Sequence, residues 1–172
     1  MIKVLVVDDH DLVRTGIARM LDEVDGLRVV GEANSGELAV QMARELAPEV
    51  VLMDLKMPGI GGLEATRKLL RVDEGVRVIA VTMCEEEPFP SRLMKAGAAG
   101  YMTKGADLEE MVRAIKVVAT GQRYISPEIA QAMALKPYTG DDGSLLDMLS
   151  ERELQIMMMI VNYHKVQDVA DK

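Results

Sequence analysis

The sequence predicts an α/β fold: a five-stranded parallel sheet with helices on both faces, followed by a helical linker and a short all-α segment. Two observations carry this. Short apolar runs rich in β-branched residues recur at residues 4–7, 29–30, 50–53, 78–81 and 101–102, as strands buried on both faces require. Between successive runs lies a helical pattern, and strict alternation implies parallel strands joined by right-handed crossovers. Five such units most naturally give the flavodoxin-like order 2-1-3-4-5.

The helices follow in order. The first is expected to open at Asp11 as N-cap, with Leu12, Ile17, Met20, Leu21 and Val24 on one face. The second takes Ser35 as N-cap, carries Leu38, Met42 and Leu46, and stops before Pro48. A third covers about residues 63–70 and a weaker fourth about residues 91–96. The fifth opens at Asp107 and carries Leu108, Met111, Val112, Ile115 and Val118 before Gly121 ends it. A short helix then spans residues 127–135, with Ser126 capping and proline at the first helical position. Residues 137–144 read as a linker by composition. Ser150 and Glu153 form a capping box that opens a further helix to about residue 162, and residues 165–172 look like the start of another. The divisions expected are 1–120, 121–148 and 149–172.

The chain has 172 residues, 49% hydrophobic and 28% charged, which suits a soluble globular protein. No run approaches the roughly 18 apolar residues of a membrane span. The N-terminal run ends in Asp8-Asp9 and lacks a small-residue cleavage site, so it reads as a buried strand rather than a signal peptide. A cytoplasmic protein without membrane contact is expected. A single cysteine, Cys84, excludes an intramolecular disulfide and a cysteine-based zinc site, and it reads as a partly buried small residue. The net charge of −8 and pI of about 4.8 argue against strong nucleic-acid binding by this chain. They suit a domain that gathers carboxylates around a divalent cation.

In an open parallel sheet, the ligand crevice lies at the carboxyl ends of the strands. Asp8 and Asp9 end the first strand, Asp54 the third and Thr82 the fourth, while Lys104 follows the fifth. Three carboxylates within a few ångströms need a counter-charge, and Mg²⁺, a hard cation with oxygen ligands, suits such a site. Lys104 offers a point charge and Thr82 a hydroxyl to phosphoryl oxygens, and a carboxylate can attack phosphorus to form an aspartyl phosphate. One aspartate at a strand end is ordinarily a loop or cap residue. The specific signal is the ordered set on four strand ends. His10 and His164 read as lone histidines without ligand partners at suitable spacing, so metal binding by either is not expected, and Met157-Met158-Met159 reads as core packing. The glycine-rich stretch 58–62 lacks the Lys-Ser/Thr of a P-loop and reads as a tight turn.

Val6-Val7-Asp8-Asp9-His10, Met53-Asp54-Leu55-Lys56-Met57-Pro58-Gly59-Ile60-Gly61-Gly62, Thr82 and Gly100-Tyr101-Met102-Thr103-Lys104-Gly105 together resemble a response-regulator receiver domain over about residues 1–120. The resemblance implies that Asp54 accepts phosphate from a sensor histidine kinase. It implies that Asp9, Asp54 and the main-chain carbonyl of Lys56 bind Mg²⁺, with Asp8 assisting through water. Thr82 and Tyr101 would form a switch pair, with Tyr101 changing rotamer, and Lys104 would contact the phosphate. Met83 stands where receivers often carry a small residue and is expected to narrow access to Asp54, favouring a docked kinase over small phosphodonors.

Residues 149–172 resemble the opening of a LuxR-type helix-turn-helix domain of the NarL/FixJ family, incomplete before the recognition helix. Phosphorylation-dependent transcription control by DNA binding is therefore expected of the full-length family form, and no specific DNA binding of this chain. The segment carries Arg152, Lys165 and Lys172 against Glu151, Glu153, Asp168 and Asp171. Its apolar helix is expected to drive a homodimer or a domain-swapped oligomer. The expectation is thus a signalling and binding protein rather than an enzyme, or a form that acts through protein contacts alone. An enzymatic rival, a haloacid-dehalogenase-like phosphatase, also uses an aspartyl phosphate. It places its nucleophile in an Asp-x-Asp motif after the first strand, whereas here Asp8 and Asp9 are adjacent and His10 follows.

Overall fold

Successive side chains of a strand point to opposite faces, and the apolar runs use this to build two cores at once. Val4 and Val6 pack on one side of the sheet, Leu5 and Val7 on the other, and all four are at most 2% exposed. The computed structural model describes residues 1–83, 88–135, 149–150, 152–153 and 156–157. The elements are β1 (Ile2–Val7), α1 (Asp11–Asp22), β2 (Leu27–Ala33), α2 (Gly36–Leu46), β3 (Val50–Met53), α3 (Gly61–Val72), β4 (Arg77–Thr82), α4 (Phe89–Lys95), β5 (Gly100–Thr103), α5 (Leu108–Ala119), β6 (Tyr124–Ile125) and α6 (Pro127–Leu135). Ala18 and Leu21 of α1 and Met111, Ile115 and Val118 of α5 cover one face. Ala39 of α2 with Ala65 and Leu69 of α3 cover the other.

The sheet is parallel throughout, but it has six strands in the order β2-β1-β3-β4-β5-β6 rather than the five expected. The sixth arises because α5 returns the chain to the open edge of β5. There the Tyr124 amide donates to the Ala99 carbonyl and the Ser126 amide to the Tyr101 carbonyl, each at 3.0 Å. Two residues carry no readable periodicity, so only the pairing makes them a strand.

Several helix expectations change. The α1 N-cap is His10, without a side-chain cap, and Asp11 lies inside the first turn, bonded to Arg14 at 2.6 Å. Leu12 is 89% and Met20 44% exposed, so neither belongs to the core face. At about 3.6 residues per turn, Leu12 falls far round the helix from Ile17 and Leu21. Ser35 caps α2 through Leu38 N at 3.2 Å, and Asp107 caps α5 through Glu110 N at 2.8 Å, both as expected. Helix α2 ends on Ala47 in a left-handed conformation, φ 45°; Pro48 disfavours the right-handed helical region for the residue before it. Helices α3 and α4 each begin two residues before the pattern indicated. The Ser126 hydroxyl, 2% exposed, has no hydrogen-bond partner, so the α6 start rests instead on its carbonyl, which accepts from Ala130 N at 2.9 Å.

Helix α6 lies against α4 and β5: Ile129, 1% exposed, packs with Leu93, Met94 and Tyr101. The chain divides into two units, Met1–Leu135 and Lys136–Lys172. In the second, the capping box is formed: Ser150 N donates to Glu153 Oε2 at 2.7 Å and Glu153 N to Ser150 Oγ at 3.3 Å. The expected linker 137–144, the segment 165–172, Cys84, Met158, Met159 and His164 lie outside the described residues, as does most of the helix expected to follow Ser150. Among the described residues no helix is long and apolar enough to cross a membrane.

The packing of α6 sets a stability expectation. Ile129→Ala should cost about 2–5 kcal/mol, the usual range for truncating a buried isoleucine, whereas Leu12→Ser on exposed α1 should stay within about 0.5 kcal/mol. Chemical denaturation of the two variants beside the wild type measures both, and equal losses would contradict the packing described.

Candidate functional site

The crevice forms because neighbouring parallel strands end at the same level. Val7 of β1 pairs with Met53 of β3, and the Asp54 amide donates to the Val7 carbonyl at 2.9 Å. Asp8 and Asp54, each 3% exposed, are thereby held side by side at the sheet edge. On the far side, Thr82 at the end of β4 pairs with Thr103 of β5, and its carbonyl accepts from Lys104 N at 3.1 Å. That bond turns the Lys104 side chain inward. Its Nζ lies 2.6 Å from Asp8 Oδ2 and 2.8 Å from Asp54 Oδ2.

The electrostatics follow from this bridge. Burial raises the Asp54 pKa and outweighs the lowering by the Lys104 ammonium, and the Asp8 charge raises it further. For Lys104, burial acts to lower the pKa, but the Asp54 and Asp8 carboxylates more than offset it, so the net shift is upward and the ammonium stays charged. The Lys104 ammonium thus pairs with two of the three carboxylates, Asp8 and Asp54. Asp8, Asp9, His10 and Asp54 each offer a ligand atom, all within 4.8 Å of one another. Asp9 Oδ1 is buried and makes no hydrogen bond. His10 Nδ1 lies 3.0 Å from it, yet the ring's hydrogen-bond geometry is met only towards Asp8 Oδ1, at 3.1 Å. A buried acceptor without a donor, beside carboxylates in excess of their counter-charge, fits a divalent cation with oxygen ligands, and Mg²⁺ matches that donor set.

Three contacts hold the crevice in shape, of which the sequence reading singled out only the turn that contains Gly62. The Arg14 guanidinium, 13% exposed, donates to the main-chain carbonyl of Asp8 at 2.8 Å and reaches Glu32 at 3.3 Å, fixing the turn after β1. Glu37, in the first turn of α2, accepts from Ile60 N at 3.0 Å and lies against Gly59 (φ 81°), clamping the turn after Asp54. At Gly62 a Cβ would collide with the Asp54 carbonyl, so the turn closes only around glycine. Arg14 and Glu37 gave no local signal, because their partners are brought to them by the fold. His10 did have one: it directly follows the Asp8-Asp9 pair.

Of the residues singled out from sequence, Asp8, Asp9, Asp54 and Lys104 come together at the crevice, and Thr82 adjoins Lys104 through its main-chain carbonyl. Lys56 N approaches Asp54 Oδ1 at 3.3 Å. Met83, next to Thr82, is 66% exposed. Tyr101 is fully buried, with Leu93, Ala98 and Ile129 around it. Ser150 and Glu153 belong to the second unit.

Comparison with known proteins shows the family. Residues 4–116 match the response regulator receiver domain family. The chain is 67% identical to the response regulator GacA of Pseudomonas aeruginosa, over all of this chain and 81% of that protein. It is 53% identical to the response regulator UvrY of Escherichia coli, over all of this chain and 79% of that protein. It is also similar to the crystal structure of a LuxR-family two-component response regulator from an Aurantimonas species. There the identity is 40% and the TM-score 0.75, covering 79% of this chain and 97% of that one.

The raised Asp54 pKa has a measurable consequence. A carboxylate whose folded-state pKa lies above its unfolded value opposes folding once it is ionised, at any pH above the unfolded value. Without divalent cation at neutral pH, Asp54→Asn should therefore raise Tm. Added Mg²⁺ should stabilise the wild type far more than the variant, by mass action on the folded state, and so narrow or reverse the difference. Thermal melts with and without Mg²⁺ check both statements; a variant less stable than the wild type in cation-free buffer would contradict the sign.

Proposed function

This chain belongs to the response regulators of two-component systems, with LuxR-family relatives of the GacA and UvrY kind, and we propose that Asp54 is its phosphoacceptor, supplied by a sensor histidine kinase. The observation that carries this reading is the Lys104 ammonium shared between Asp54 Oδ2 and Asp8 Oδ2 in a crevice whose Asp9 Oδ1 lacks a donor. Asp8, Asp9, Asp54 and the Lys56 carbonyl would hold Mg²⁺, which when bound supplies positive charge to the phosphoryl oxygens.

The chain's own residues account for the rest. Asp54 supplies the nucleophilic oxygen: a phosphorus–oxygen bond forms as the phosphorus–nitrogen bond of the kinase phosphohistidine breaks, and the leaving imidazole takes up a proton. Lys104, already bonded to Asp54 Oδ2, is placed to follow the negative charge onto the phosphoryl group. Thr82 presents its hydroxyl from the end of β4. An inward movement of Thr82 coupled to a rearrangement of Tyr101 would carry the change to the face built from α4, β5 and α5. Transcriptional output follows in this family, and DNA binding by its full-length form fits that role.

Two experiments test the reading. Incubation with the kinase and Mg²⁺, followed by mass-spectrometric mapping, should place the phosphoryl group on Asp54 and leave Asp54→Asn unlabelled; label on Asp8 would instead favour the phosphatase-like alternative. If Met83 limits access to the crevice, Met83→Ala should accelerate phosphorylation by acetyl phosphate severalfold while changing the kinase-driven rate little. Parallel time courses with the two donors measure this, and equal acceleration of both would remove the access role.

A further inference from the structure

His10 occupies a position that the phosphoacceptor role does not require. Its main chain is fixed, with the amide donating to Asp8 Oδ1 at 2.8 Å and the carbonyl accepting from Arg14 N at 3.0 Å as α1 begins. Its ring is 66% exposed, yet the ring nitrogen Nδ1 points back to the carboxylates, 3.0 Å from Asp9 Oδ1 and 3.1 Å from Asp8 Oδ1. His10 is one of four residues that each offer a donor atom, all within 4.8 Å of one another. Separations of 3.0 and 3.1 Å are those of neighbouring donors about 2.1 Å from one ion. The 4.8 Å span of the whole group is slightly more than the about 4.4 Å open to opposite donors, so the cluster would close a little around an ion.

We infer that His10 is a nitrogen ligand in this crevice and makes its cation site selective for transition-metal ions over Mg²⁺. The inference rests on the proposal that the aspartates hold a divalent cation, and it adds a donor that such a site does not need for Mg²⁺. Carboxylate and carbonyl oxygens suit Mg²⁺, whereas imidazole adds affinity for ions such as Ni²⁺, Co²⁺ and Zn²⁺. The neutral ring can carry its proton on Nε2 and present Nδ1 as a lone pair. In the absence of an ion that nitrogen donates to Asp8, and only a tautomer change and a small rotation of an exposed ring separate the two arrangements. Asp9 Oδ1, the buried acceptor without a donor, lies next to it and would ligate the same ion. A transition-metal ion held in this way would compete directly with Mg²⁺ for the phosphoacceptor crevice.

The test uses the full chain and two ions. Calorimetry should show Ni²⁺ affinity falling at least about tenfold in His10→Gln, a loss of the size seen when a supporting group is removed from a metal site. Mg²⁺ affinity should change by less than about twofold. Ni²⁺ held elsewhere, at His164 or Cys84, survives Asp9→Asn, so only the component lost in that variant is counted. Pulsed electron paramagnetic resonance of Mn²⁺ in the wild type should show nitrogen hyperfine coupling that disappears in His10→Gln. Equal losses for Ni²⁺ and Mg²⁺ would make His10 a positioning residue and overturn the inference, as would unchanged Ni²⁺ affinity or Mn²⁺ without nitrogen coupling. A wild type that binds neither ion at the aspartates would instead overturn the cation site itself.

Discussion

The Lys104 ammonium, held at 2.6 and 2.8 Å between the Asp8 and Asp54 carboxylates, is the contact to which the rest of the architecture answers. Two buried carboxylates facing each other repel, and burial alone pushes Asp54 towards its neutral form. A strand-end lysine keeps them together because a parallel sheet delivers β1, β3, β4 and β5 to one edge with their carboxyl ends aligned. In an antiparallel sheet alternate strand ends would lie on opposite edges, and the same residues would never meet.

Such an arrangement depends on the loops that carry the charges, and the structure holds the two that carry the aspartates from behind. Arg14 grips the main chain of Asp8, Glu37 grips the turn after Asp54, and Gly62 lets that turn pass close to the Asp54 carbonyl. These are supporting contacts of the kind that keep reactive groups within a fraction of an ångström of a working geometry. The crevice retains an unmet demand, a buried Asp9 oxygen without a donor. A fully satisfied network would have little affinity to spare for a cation.

Tyr101 is the largest fully buried side chain on β5. It lies on the strand that leads to Lys104, yet Leu93 of α4 and Ile129 of α6 enclose its ring. Any reorientation of Tyr101 must displace or be followed by these neighbours, because a close-packed interior has few voids to absorb it. Strand β6 and helix α6 are therefore more than a tether leaving the sheet: Ile125 and Ile129 form part of the packing around Tyr101.

The sequence by itself determined the parallel α/β fold, because buried strands and amphipathic helices carry their periods locally. Strand-end position is also enough to bring Asp8, Asp9, Asp54 and Lys104 together once the sheet order is known. Caps such as Ser35 and Asp107 were legible for the same reason, their partners lying three residues away. Only the tertiary structure decided the sixth strand, whose two residues become a strand through pairing with β5. It also exposed Leu12 and Met20, because which side of α1 meets the sheet is settled by packing. The clamps from Arg14 and Glu37, the enclosure of Tyr101 and the turn of the His10 ring towards the aspartates are of the same kind. Each is a contact between groups whose meeting depends on how elements pack or how a side chain turns, and no local pattern of residues encodes that.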